Sequence, residues 1–109
     1  MIKSGVDLRG LQPQMVLAYT IACGVYAKHG SPGMCVITSA SDGVHGPHSL
    51  HYKGMALDLR TRHLIPAMLD KIIPDLKATL GDQYDVVLES DHVHLEYDPK
   101  DTPVAPEDR

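Results

Sequence analysis

The chain is 109 residues long, 43% hydrophobic and 22% charged, with a net charge of −4 and a pI near 5.9. That length suits one domain, able to bury about two thirds of the surface its unfolded form exposes, and the composition excludes collagen, low-complexity disorder and a disulfide scaffold. The acidic balance argues against nucleic acid as a partner, which needs a basic stripe to neutralise phosphates, and no apolar run approaches the ~20 residues that span a bilayer.

The first twelve residues form a mixed lead-in without the apolar core of a secretion signal, so the expected place of synthesis is the cytoplasm. Pro13 suits the first turn of a helix, where its missing N–H costs nothing. Met15, Tyr19, Ala22, Cys23 and Tyr26 then recur at helical spacing until Gly30-Ser31-Pro32-Gly33, which predicts a helix over 13–29. The short, β-branched run Met34-Cys35-Val36-Ile37-Thr38 reads as a strand. From Ser39 to Lys53 the chain is dominated by Ser, Gly, His, Asp and Pro, and a loop of about fifteen residues in a small domain is usually functional or disordered. The run 55–60 alternates with period two, as a half-buried strand does. Leu64, Met68, Ile72, Leu76 and Leu80 predict a helix over 62–80 that Gly81 closes. Pro66 fits its first turn, while Pro74 predicts a kink or break. The runs 85–88 and 92–96 are two more strands, with Ser90-Asp91 between them. This order predicts an α+β domain over 1–98, mainly an antiparallel sheet with helices packed on one face, followed by an acidic, Pro-rich tail over 99–109.

Phe and Trp are absent, so the core must come from Leu, Ile, Val, Met and Ala. Seven histidines are many for so short a chain. Cys23 and Cys35 fit no close-spaced metal or redox pattern and are expected to be buried small hydrophobes rather than a bridge. Strand parity sorts the histidines. Met55, Leu57 and Leu59 share one face, with Ala56, Asp58 and Arg60 on the other; Val93 and Leu95 point one way, with His92, His94 and Glu96 the other. If both apolar faces pack on the helices, Asp58, His92 and His94 project together, and His51 arrives just before, across a turn at Lys53-Gly54. A His-x-His pair on a solvent-facing strand is commonly a plain surface pair. Its convergence with a carboxylate and a further imidazole matches a catalytic zinc site, which holds three N/O ligands and keeps one position open.

The segment Ser49-Leu50-His51-Tyr52-Lys53-Gly54-Met55-Ala56-Leu57-Asp58 reads S-x-H-x-x-G-x-A-x-D, and Glu89-Ser90-Asp91-His92-Val93-His94 follows some thirty residues later. This resembles the zinc D-Ala-D-Ala carboxypeptidases and phage L-alanyl-D-glutamate endopeptidases, which share the Hedgehog-like fold, over residues 34–98. The resemblance implies one zinc ion held by His51, Asp58 and His94 on the sheet face away from the helices, with Gly54 permitting the turn and Ala56 keeping the metal-facing surface clear. It implies an acid/base carboxylate at Asp91, with Glu89 the competing candidate, and makes His92 a transition-state hydrogen-bond donor or supporting neighbour. Glu96 follows as a neighbour of the last ligand or a surface residue. The Arg that the family often presents before S-x-H is missing here, and His45 takes its place as a candidate substrate contact, beside Ser49. Arg60 either binds a substrate carboxylate or pairs with an acid. His48 and Tyr52 line the cleft or are exposed, and His29 and His63 are given only local structural roles.

The function so implied is zinc-dependent hydrolysis of a peptide bond in peptidoglycan stem peptides, as a phage or prophage endolysin. The alternatives are a D,D-carboxypeptidase or dipeptidase, and a non-catalytic zinc-binding recognition module. The chain is expected to work as a monomer on the wall peptide after release from the cytoplasm, with no nucleic-acid or membrane partner.

Overall fold

The computed structural model describes residues 1–31, 33–40 and 54–99. Two helices, α1 (Pro13–Lys28) and α2 (Pro66–Leu80), accompany four strands: β1 (Ile37–Ser39), β2 (Ala56–Arg60), β3 (Tyr84–Leu88) and β4 (His92–Tyr97). The strands form one antiparallel sheet in the order β1-β2-β4-β3. Strand β4 therefore inserts between β2 and β3, although α2 and β3 separate it from β2 in sequence. Both helices begin with proline in the first turn and carry a lysine in the last, where the cation complements the helix dipole.

One face of the sheet is the core. Leu57 and Leu59 of β2 and Val93 and Leu95 of β4 are fully buried against Met15, Ala18, Ala22, Val25 and Tyr26 of α1 and Ile72, Leu76 and Leu80 of α2. Each large side chain buried this way stabilises the fold by about 1.5–3 kcal/mol. Tyr26 is the one aromatic wholly inside among the described residues, and its hydroxyl donates to the Arg60 carbonyl at 2.9 Å. At the other end, Tyr84 and Tyr97 pair across β3 and β4 with ring centroids 5.2 Å apart, and the Tyr84 hydroxyl donates to the Gln14 carbonyl at 2.8 Å. The lead-in is more than a tail: Ile2 bridges Ile37 in parallel along the outer edge of β1, and the Gln12 N–H donates to the Gly54 carbonyl at 2.9 Å.

Three expectations need correction. The strand expected at 34–38 starts later, at Ile37; Cys35 and Val36 are buried without being assigned to it, although the Val36 carbonyl accepts from the Arg60 N–H. The helix expected from residue 62 begins at Pro66, because Thr61 and Leu64 close a turn first through a 2.8 Å backbone bond. Of the kink or break expected at Pro74, the break is excluded, because α2 is helical from end to end. Pro74 and Asp70, whose carbonyl loses its partner, both lie outside the buried core, so water can serve that carbonyl. The cysteines are free, Cys35 buried and Cys23 partly so. No described helix is long and apolar enough to cross a membrane.

Candidate functional site

The sheet face away from the helices carries Ala56, Asp58 and Arg60 on β2 and His92, His94 and Glu96 on β4. Register sets them directly across from one another, Asp58 opposite His94, Arg60 opposite His92 and Ala56 opposite Glu96. Period-two alternation on both strands requires these two sets; the adjacency of the strands makes them one surface. Asp58 lies at its centre, 9% exposed. Its Oδ1 lies 2.9 Å from His94 Nδ1, and its Oδ2 is 3.7 Å from His92 Nε2. The other nitrogen of His94, Nε2, meets Glu96 Oε1 at 2.8 Å. His92 Nδ1 is 2.8 Å from Asp91 Oδ1 at the β3–β4 turn. A chain of carboxylates and imidazoles thus runs Glu96–His94–Asp58–His92–Asp91.

The electrostatics follow from these contacts. The hydrogen bond that His94 donates to Asp58 raises its imidazole above the ordinary value, burial opposes this, and Glu96 adds to the rise. The hydrogen bond from His92 holds the Asp91 carboxyl below the usual carboxylate range. Asp91 and Glu89 are both exposed, Glu89 one residue past the end of β3 with its N–H bonded to the His92 carbonyl at 2.8 Å.

The donor set suits a zinc ion in chemistry and spacing. Imidazole nitrogen and carboxylate oxygen are ordinary zinc ligands, and two ligands on a tetrahedral ion with bonds of about 2.0–2.1 Å stand about 3.3 Å apart. The Asp58–His94 contact at 2.9 Å needs to open by only a few tenths of an ångström to reach that spacing. A zinc ion there would take the Nδ1 lone pair of His94 in place of the hydrogen bond to Asp58, with Nε2–H donating to Glu96, the carboxylate–imidazole support common behind metal ligands.

His51, His45, Ser49, His48 and Tyr52 lie outside the described residues. The two remaining histidines sit at the end of α1 and just before α2, as expected. His29 Nε2 sits 2.8 Å from Asp75 Oδ2 and so ties the end of α1 to α2, while Lys28 joins the same carboxylate at 3.1 Å. His63 precedes α2, and both of its ring nitrogens are buried without a hydrogen-bond partner among the described residues. Burial, with Arg60 nearby, lowers its pKa.

Two features escaped the sequence reading. Asp85, Glu96 and Asp98 bring carboxylate oxygens within 4.8 Å of one another, a grouping that depends on β3 pairing with β4 and on the chain turning back after Tyr97. The second is a polar cleft of about 80 Å³ beside His92, walled by Lys3, Thr38, Arg60, Arg62, Asp91 and His92. Parity could place Arg60 there, but nothing in the sequence signals Lys3. Comparison with protein-family models, with curated proteins and with solved structures finds no match.

Proposed function

We propose that this chain is a zinc-dependent peptidase that hydrolyses a peptide bond in bacterial peptidoglycan stem peptides, in the manner of a phage or prophage endolysin. The observation that carries the reading is the Asp58–His94 pair on the sheet face away from the helices, with His92 beside it and a carboxylate at each end of the chain of contacts. The S-x-H-x-x-G-x-A-x-D and His-x-His motifs support it independently, because the order of residues along the chain already singles out Asp58 and His94. The third ligand is proposed to be His51.

A zinc ion held by Asp58, His94 and His51 would polarise the scissile carbonyl and bring a bound water toward a pKa of about 7. The protein's own groups do the rest. Glu96 orients His94. His92, aimed between Asp58 and Asp91, is placed to donate a hydrogen bond to an oxyanion that develops beside Asp58. Asp91 is ionised at neutral pH and can accept a proton and return it to the leaving nitrogen; its hydrogen bond to His92 makes it a weaker base than a free carboxylate. Glu89, two residues earlier on the same turn, is the other acceptor within this region.

The test is incubation of zinc-loaded protein with purified peptidoglycan, with mass spectrometry of the released termini. New N-terminal D-Glu identifies L-alanyl-D-glutamate cleavage, and free D-Ala identifies a carboxypeptidase. Zinc titration should show one ion per chain, lost in His94→Ala. Asp91→Asn should keep zinc and lose turnover; near-normal turnover there with an inactive Glu89→Gln moves the base to Glu89. Zinc binding without release of any product refutes the peptidase and leaves a recognition module.

A further inference from the structure

We propose that the cleft formed by Lys3, Arg60 and Arg62 receives a free carboxylate of the substrate, so that the peptide acted on carries this group next to the scissile bond. That the carboxylate belongs to a substrate rests on the peptidase reading; the anion site itself rests on geometry. Arg60 ends β2 directly across from His92. Thr61 then donates its N–H to the Asp91 carbonyl at 3.2 Å, which holds the following residue, Arg62, against the β3–β4 turn. Lys3 comes from the lead-in, whose backbone bonds Ile37 at 2.9 Å and so runs along the outer edge of the sheet. Three cations, two flanking Thr61 at the end of β2 and one from the lead-in, therefore wall one small cleft in a chain whose net charge is −4.

Among the described residues none of these three cations forms an ion pair within 4 Å, whereas Arg9, Lys28, His29, His92 and His94 all do. Unpaired like charges around a cleft repel each other, and an anion placed between them relieves the repulsion. The carboxylate of Asp91, the one acid in the wall, is turned to His92 at 2.8 Å. Three cations against this one acid leave the cleft electropositive, which draws an anion into it. The volume, about 80 Å³, suits a single small polar group, well below the roughly 300–1,000 Å³ of a pocket that engulfs a whole small molecule. A guanidinium matches a carboxylate in shape as well as charge, with two parallel N–H donors facing two oxygens. His92 belongs to both the cleft wall and the Asp58 cluster, 3.7 Å from Asp58 Oδ2. A carboxylate held in the cleft therefore places the adjoining peptide group toward Asp58 and His94.

The binding test follows the Arg Nε–Hε signals by NMR in full-length protein during titration with N-acetyl-D-alanine, its neutral N-methylamide and inorganic phosphate. The carboxylate should shift the Arg60 and Arg62 signals saturably, the amide should not, and phosphate should bind more weakly. Arg62→Gln and Lys3→Gln, at exposed positions, should each weaken carboxylate binding, and Arg60→Gln with Arg62→Gln should lose about tenfold or more, the loss expected for a charge-assisted hydrogen bond. Equal binding of the amide, tighter binding of phosphate, or unchanged affinity in the folded Arg62→Gln and Lys3→Gln variants overturns the site. In turnover, amidating the carboxylate of a peptide substrate should lower kcat/KM in the wild type and much less in the double variant. Saturable carboxylate shifts with no cleavage of any peptide would keep the anion site and remove the peptidase reading.

Discussion

Gly54 is where the lead-in, the start of β2 and the candidate site meet, and replacing it by alanine is a sharp test of that arrangement. Its φ is +71°, and a Cβ there would overlap the Gly10 carbonyl oxygen, come within 2.8 Å of the Gly10 carbonyl carbon and within 3.2 Å of Leu11 Cα. All three are backbone atoms, so no side chain can swing away. The left-handed conformation costs about 1–2 kcal/mol for a residue with a Cβ. Forcing the two segments apart costs about 1–3 kcal/mol more, as overpacking does. Separation also breaks the 2.9 Å bond from Gln12 N–H to the Gly54 carbonyl, a further 0.5–1.5 kcal/mol or so. Gly54→Ala is therefore expected to lose about 3–6 kcal/mol, a large share of the 5–15 kcal/mol typical of a domain, and to melt roughly 12 °C or more below the wild type. Gly30→Ala is the matched control, because Gly30 has φ +91° and a Cβ added there would meet nothing within 4 Å. It should lose only the conformational part, about 1–2 kcal/mol. Urea denaturation of the two variants beside the wild type measures the difference. Equal losses in the two would refute the close approach of the lead-in to Gly54.

Other outcomes follow from single groups. His63→Leu removes two buried ring nitrogens that lack a partner among the described residues, and is expected to raise stability by about 1 kcal/mol; a lower thermal midpoint would show that the ring has a partner. His29, Thr79 and Lys28 lower the Asp75 carboxyl from its ordinary 3.8 to about 2. Because the folded value is depressed, its stabilisation is full above the unfolded value and disappears as pH falls from about 4 to about 2; the gap in melting temperature between wild type and Asp75→Asn should close over that window. Burial pushes the Cys35 thiol well up, so iodoacetamide at pH 8 should label Cys23 in the native protein and Cys35 only on unfolding, which peptide mass mapping would show. Rapid native labelling of Cys35 would contradict its burial.

Much of this protein is legible in its residues because the deciding signals are local. Alternation over 55–60 and 92–96 separates Leu57, Leu59, Val93 and Leu95 from Asp58, His92 and His94 with no knowledge of the partner strand, since side chains on any strand alternate. Prolines at helix starts and the 3.6-residue spacing of Ile72, Leu76 and Leu80 place both helices nearly as observed. The errors are also local in origin: Pro74 predicts a kink or break from the loss of one hydrogen bond, but the helix continues through it, since a carbonyl within reach of water tolerates that loss when Ile72 and Leu76 on either side are held by the core.

What the chain could not reveal alone is which strands and segments are neighbours. The placement of β4 between β2 and β3 puts Asp58 opposite His94 and Arg60 opposite His92. It also assembles Asp85, Glu96 and Asp98, and folding of the lead-in along β1 brings Lys3 to Arg60 and Arg62. Gly54 joins the two levels: its residue type already suggests a tight turn, and the second demand upon it, the backbone of Gly10 and Leu11 against its α-carbon, exists only in the folded chain. Pairing and long-range contact depend on what the whole chain buries, and a local pattern of residue types carries no term for that.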